Sequence, residues 1–396
     1  MKYISGPYTQ GQLLKNIIEA EIALTNRYLR GGAITDVTEQ KDWAYRIEDL
    51  SFGRNTVMYG AGGYPAVMVR FPSISMATLG FGWPNQVHPA FVVNGAVKPE
   101  LWIAKFKSVY VGSGLDGRVV ALRGLDPGNS KNFDDNLTYH KQMGPGFHLE
   151  TLIEGALVAQ ICKKQGFWPR GNNYYGKDIG VQSELGSPTM NYNANDVGRT
   201  ATGSGPLAWY HDGTPFGLAD VNGNTWEWRA GMRLNNGEIQ ILQNNNGADN
   251  TKDQSAASTE WKAILQDGSL VAPGTADTLK YDSTGADTGV NQDVGDIRVN
   301  TVITNSLSTS YAYNAFQATA AAAGITIPNI LKYYGLFPID SDHGGDGHCM
   351  RNSGERLPFV GGNWYYGSDA GVCYLSLNNL RSNVYTTLGA RLAFVI

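Results

Sequence analysis

The final stretch of the chain, residues 361–396, reads GGNWYYGSDAGVCYLSLNNLRSNVYTTLGARLAFVI and alternates in two places. From Val372 to Leu377 the alternation sets Cys373, Leu375 and Leu377 on one face and Tyr374 and Ser376 on the other. Leu392, Phe394 and Ile396 then oppose Arg391, Ala393 and Val395, which reads as a closing strand. A chain that ends this way must complete a β-sheet with an apolar inner face. A frame runs through the stretch: Gly361, Gly362, Trp364, Gly367, Ala370, Gly371, Val372, Leu375, Leu377, Arg381, Ser382, Gly389 and Arg391. The residues between are almost all Tyr, Asn, Ser, Asp or Thr. Binding loops use that composition, because Tyr supplies stiff amphipathic area and Ser and Asn supply adaptable hydrogen bonds.

At 396 residues and 42% apolar content the chain can bury one large core or two ordinary ones. Its 31 basic and 35 acidic residues leave no basic excess, so a nucleic-acid partner is not expected. The 49 Gly and 21 Tyr point to turns and exposed aromatic surface rather than a helical bundle. Cys162, Cys349 and Cys373 cannot all pair and lack a CxxC spacing, which fits synthesis in a reducing cytoplasm. The start MKYISGPYTQ lacks the apolar core of a signal peptide. No window approaches eighteen apolar residues, so membrane insertion is not expected.

In chain order, residues 9–29 read as a helix, with Leu13, Ile17, Ala20 and Leu24 on one stripe and Gly31–Gly32 as its stop. Such a stripe can join subunits as a short coiled coil or pack on its own domain. Residues 34–64 read as short strands and turns, with a boundary near Tyr64. From Pro65 an α+β domain begins. Val67, Val69 and Phe71 alternate as a strand, and 88–93 and 101–106 are strands around an Asn94–Gly95 turn. Helices are expected at 132–142 and 149–165, the second stopped by Gly166. Residues 169–178 form a polar loop. A hairpin turns at residues 235–237. Residues 243–300 read as a loop-rich insertion with a short helix near 259–265, and the Ala run at 314–323 reads as a helix.

From Tyr365 to the end there is no Lys, Glu, Gln, Met or Trp, all of which occur elsewhere in the chain. A codon ending in a pyrimidine cannot encode any of them. An AAC or AAT codon with randomised adenines yields Asn, Tyr, Ser, Asp, Thr, Leu and Val, but never those residues or a stop. With its frame, the stretch resembles the variable region of diversity-generating retroelement proteins, where a retroelement rewrites template adenines near the C-terminus of a C-type-lectin-fold protein. The segment GLADVNGNTWEW (217–228), with the helix at 149–165, is similar to the formylglycine-generating-enzyme branch of that fold. The resemblance spans roughly 65–396 and is weak over 243–300.

It implies an α+β, C-type lectin fold with insertions, preceded by an N-terminal segment, 1–64, for attachment or oligomerisation. Trp226 and Trp228 would lie in the core, and Trp364 would open the variable region 361–396. The diversified contact residues would be Tyr365, Tyr366, Ser368, Asp369, Tyr374, Ser376, Asn378, Asn379, Leu380, Asn383, Val384, Tyr385, Thr386 and Thr387. The implied function is non-catalytic binding of a protein or glycan on a bacterial cell surface. Family members on phage tail tips are trimers, so a homo-oligomer in a virion is expected, reached by lysis or particle assembly. The alternatives are a bacterial surface-displayed variable protein and a divergent formylglycine-generating-type enzyme.

Some relatives hold calcium at the 217–228 turn. That would assign Asp220 and Glu227 as side-chain ligands, with the carbonyls of Gly223 and Thr225; the other reading is that both carboxylates cap backbone N–H groups. The enzymes need two neighbouring cysteines, which this chain does not provide in sequence, so no catalytic activity is expected. The loop 339–352 gathers Asp340, Asp342, His343, Asp346, His348 and Cys349. Its interspersed glycines fit a solvated loop better than a metal site. No Ser/His/Asp arrangement, P-loop or dinucleotide fingerprint is present.

Overall fold

The computed structural model describes residues 10–396; residues 1–9, including the first of the expected helix 9–29, lie outside the described residues. Helix Gln10–Gly31 buries Ile17, Ala20 and Leu24 against Val57, Val67, Phe106 and Leu122 of its own chain. Its stripe is therefore used inside the molecule. A second helix, Val37–Ser51, stands where strands and turns were expected. The Asp36 carboxylate starts it by accepting the N–H groups of Thr38 and Glu39 at 2.7 and 3.2 Å. Within this helix only Ile47 and Ser51 are fully covered, too thin a stripe to mark it by periodicity.

The expected boundary near Tyr64 does not exist as a break. Strand Asn55–Gly60 pairs antiparallel with strand Tyr64–Pro72, from Asn55↔Val69 to Gly60↔Tyr64. The buried Glu21 carboxylate also holds both Lys105 and Arg123, which binds the first helix to the body. The described residues of the 1–64 segment thus share a core with strands and loops beyond Tyr64.

Two sheets carry the fold, which is α+β. The smaller runs in the order Asn55–Gly60, Tyr64–Pro72, Glu100–Ala104, Leu392–Phe394, Phe147–Leu149. The last strand of the chain is inserted between two others, so the end of the tail is anchored on both edges. Helix Leu152–Gln165 begins later than its apolar pattern implied, because Phe147–Leu149 is claimed by that pairing. A Thr151/Glu154 capping box starts it and Gly166, at φ 63°, ends it. Its Leu152, Ile153, Leu157 and Val158 pack in one core with Leu375 and Leu377 of the tail.

The larger sheet has 13 strands and holds the tail strand Leu375–Asn379 between Gly347–Met350, parallel, and Glu355–Val360, antiparallel. The hairpin Met232–Asn235/Glu238–Ile241 turns through Asn236 and Gly237 at φ 49° and 78°. The 243–300 insertion is more than loops. Its strands Lys262–Ile264, Lys280–Ser283 and Ile297–Asn300 extend the sheet beyond that hairpin. The α-helices expected at 259–265 and 314–323 are absent: the first holds strand Lys262–Ile264, and the second holds one 3-10 turn, Phe316–Ala318, between two short strands. Ala312–Ala315 pairs with Gly347–Met350, and Ala320 and Ala321 lie exposed beside Arg298 and Val299. An alanine run has helical propensity but no apolar stripe to bury, so sheet pairing decides its state.

Candidate functional site

After strand Glu355–Val360 the tail is held through its main chain by groups from distant parts of the sequence. Gly223 N–H donates to Gly361 O at 2.8 Å, Tyr175 N–H to Trp364 O at 2.6 Å, and Gly367 N–H to Asn173 O at 2.9 Å. Cys373 N–H donates to the Asp346 carboxylate at 2.7 Å. Beyond the strand, Arg381 O accepts from Phe133 N–H at 3.1 Å and Tyr385 O from Ser130 N–H at 3.0 Å. Thr386 O accepts from Arg199 Nη1 at 3.1 Å, and Thr387 O from Trp226 N–H at 2.8 Å. Two glycines permit the tight course at its start. A Cβ on Gly362, which has φ 79°, would lie 2.4 Å from that of Ala370, and one on Gly371 would lie 2.0 Å from Asp346 Oδ1.

Side chains divide into three groups. Tyr365 and Tyr385 are 43% and 47% exposed, and Ser368, Leu380, Val384 and Thr386 are also exposed. Tyr366, Asp369, Asn378, Asn383 and Thr387 are half-buried. Asn378 accepts from Arg351 at 2.6 Å, and Asn383 caps the Leu380 N–H at 2.8 Å. Tyr374, Ser376 and Asn379 are buried, which corrects their expected place on an outer face. The strand Leu375–Asn379 is central and covered on both faces, so its alternation does not separate inside from outside. Leu375 and Leu377 face one core. The Tyr374 ring lies 4.6 Å from that of Trp226 and 5.6 Å from that of Tyr366, within a cluster that includes Trp228 and Phe359. The Asn379 amide donates to Ser376 Oγ at 3.1 Å. These three residues act as frame. Ser382, read as frame, is exposed.

The residues assigned to calcium do not fit that ion. Glu227 Oε1 accepts from Lys107 Nζ at 2.6 Å and Arg391 Nη2 at 2.7 Å, while Oε2 faces Arg229 at 2.7 Å. Lys107 Nζ also donates to Thr225 O at 2.9 Å. The ammonium group thus bridges the carbonyl and carboxylate that were expected to bridge through a metal. Asp220 accepts from Gly203 N–H at 2.7 Å. Burial alone would raise the Glu227 carboxyl, but Arg391, Lys107 and Arg229 hold it well below the usual carboxylate range. Calcium added to chelator-treated protein is therefore expected to leave its melting temperature unchanged; a saturable calcium-dependent rise would contradict this assignment.

The 339–352 loop is not the solvated loop expected, since His343, Asp346 and His348 are buried. His343 Nε2 accepts from Ile339 N–H at 3.2 Å, His348 bonds Thr319 at 2.8 Å, and burial pushes Asp346 up to about 7. Among the described residues no group of three His, Cys, Asp or Glu is placed to hold a metal ion. Burial pushes the Cys349 thiol up to about 12, and Cys162 and Cys373 also lie well above the ordinary thiol range through burial. The thiolate is the nucleophile, so none of these thiols is activated.

Sequence reading missed one component. Loops at 172–199, of which the sequence marks only the polar loop 169–178, bring a row of tyrosine rings to the edge of the tail. Tyr174 lies 5.5 Å from Tyr175, Tyr175 5.8 Å from Tyr192, and Tyr192 6.4 Å from Tyr365, which stacks on Tyr366 at 5.4 Å. The adjacent Tyr pair in NNYYGKD was the one signal of it in the sequence. Tyr175, Tyr192 and Tyr365 line an open cleft of about 570 Å³ together with Arg199, Tyr385 and Thr386.

A scan against protein-family models gives no match, and a search of curated proteins gives none. Among solved structures the chain is similar to Treponema denticola variable protein 1, with 11% identity, 86% of this chain and 98% of that chain covered, and a TM-score of 0.31.

Proposed function

We propose that this chain is a non-catalytic binding protein whose 361–396 region is exchanged at the level of the gene, as in diversity-generating retroelement variable proteins with a C-type lectin fold. One observation carries the reading. The tail backbone is clamped by main-chain and distant side-chain groups, while the side chains of Tyr365, Ser368, Tyr385, Thr386 and Thr387 make no hydrogen bond among the described residues. Side chains at such positions can change while the scaffold stays folded. The target is a protein or glycan on a bacterial cell surface, and the carrier is a phage tail. Weak single contacts are multiplied when several copies act together, so the working form is a homo-oligomer.

The gene provides the test. A near-identical template repeat beside a reverse-transcriptase gene, with AAC- or AAT-derived codons at the exposed positions, is expected, and tail or baseplate genes nearby support the phage carrier. Absence of any such repeat removes the reading. A library randomised at Tyr365, Ser368, Leu380, Val384, Tyr385 and Thr386 is expected to keep most members within about 0.5 kcal/mol per substitution of the parent stability, measured by denaturant unfolding. Widespread unfolding in that library would show that these side chains hold the fold. Sedimentation of the full chain as a monomer at micromolar concentration would count against the oligomer.

A further inference from the structure

We propose that the unchanging loops at 172–199 form one wall of the binding site, and that this wall selects uncharged carbohydrate. The proposal rests on the tail being the contact surface. Tyr175 carries the first part of the inference. It sits at φ 51°, a left-handed conformation that a bulky side chain rarely adopts, followed by Gly176 at φ 91°. Asn or Gly would meet the backbone requirement there without strain. The conformation is imposed by the N–H bond to Trp364 O at 2.6 Å, which seats this loop on the frame of the tail. A strained tyrosine at the lip of a binding cleft is accounted for by its ring, which the turn itself does not need.

The chemistry of the cleft carries the second part. Arg199 is its one charged lining residue among those described, and its guanidinium is matched to Asp126 at 3.0 and 2.9 Å. An anionic ligand would find that guanidinium already matched and would face the negative sides of the tyrosine rings. The cleft is open, whereas the anchor side chains of protein partners fill well-packed, fully desolvated pockets. It offers ring faces edged by phenol hydroxyls, the Asn129 amide and the Thr386 hydroxyl. Aromatic faces are negative and attract weakly polarised C–H groups. A sugar ring presents both complements, a C–H face and a rim of hydroxyls. Tyr175, Tyr192 and Tyr365 line the cleft in succession, 5.8 and 6.4 Å apart and tilted by 44° and 43°, so such a ligand meets separate ring faces set at an angle. The exchanged side chains would then choose among neutral glycans, while the wall sets the class.

The test uses the labelled full chain on arrays of uncharged, sialylated and sulfated oligosaccharides, and on a peptide array. Signal on uncharged oligosaccharides is expected. Tyr175→Asn and Tyr192→Ala should each weaken every glycan bound by roughly tenfold or more, with the melting temperature of Tyr175→Asn equal to or above that of the parent. Tyr385→Ala should change which glycans are bound. Signal only on charged glycans or on peptides, or none at all, overturns the proposal. So do affinities that stay within about twofold in both wall variants while Tyr365→Ala and Tyr385→Ala abolish binding; the tail reading then stands alone. Binding indifferent to all four substitutions removes both.

Discussion

Glu227→Gln is expected to destabilise the protein by about 3–5 kcal/mol, the usual cost of leaving buried charges without their partner. Glutamine keeps the shape of the side chain and removes only its charge. Lys107, Arg229 and Arg391 would then share the buried Glu150 and Asp220. Arg391 further donates to Ala104 O, Lys105 O and Ala219 O at 2.8 to 3.1 Å, so the damage would spread from the turn into the smaller sheet. Urea unfolding of Glu227→Gln, Lys107→Met and the double variant measures this. The double variant should lose less than the sum of the singles, because it removes both partners. A loss under about 1 kcal/mol for Glu227→Gln would mean that water reaches the cluster and screens it.

Tyr374→Ala is expected to cost about 3–5 kcal/mol, as for other large aromatic truncations in a core. Its ring is 2% exposed and edge-on to Trp226 at 85°. Tyr385→Ala, eleven residues further along the same tail, should fall within about 0.5 kcal/mol. The pair asks whether the tail separates into scaffold and contact surface. Equal losses would mean that it does not, and exchange at the exposed positions would then be incompatible with folding. The same comparison predicts that Tyr374, Ser376 and Asn379 resist substitution even though pyrimidine-ended codons can encode them.

What could be read without the structure was what nearest neighbours along the chain decide. The Asn94–Gly95 and Asn236–Gly237 turns, the Gly166 stop and the alternating strands come from backbone preferences and a repeat of two. Of the frame glycines, Gly361, Gly362 and Gly367 have left-handed backbone, whereas Gly371 and Gly389 are needed for close approach to Asp346 and Gly128. The helix Val37–Ser51 escaped because its cap at Asp36 specifies it more strongly than its weak apolar stripe.

Alternation divides a strand into two faces but cannot say what covers either of them. Trp226 and Phe359 bury Tyr374 on the face that looked solvent-facing. Glu227 looked like a metal ligand because carboxylates and carbonyls stood close in sequence; its partner Lys107 lies 120 residues away. The wall of Tyr175 and Tyr192 is beside Tyr365 because its loop is bonded to the tail, Tyr175 N–H to Trp364 O and Gly367 N–H to Asn173 O. By itself the sequence determined that the tail mixes a frame of Gly, Trp and aliphatic residues with a set of Tyr, Asn, Ser, Asp and Thr. Tertiary packing decided which residue belongs to which, because burial and charge pairing are set by neighbours that meet only when the chain folds.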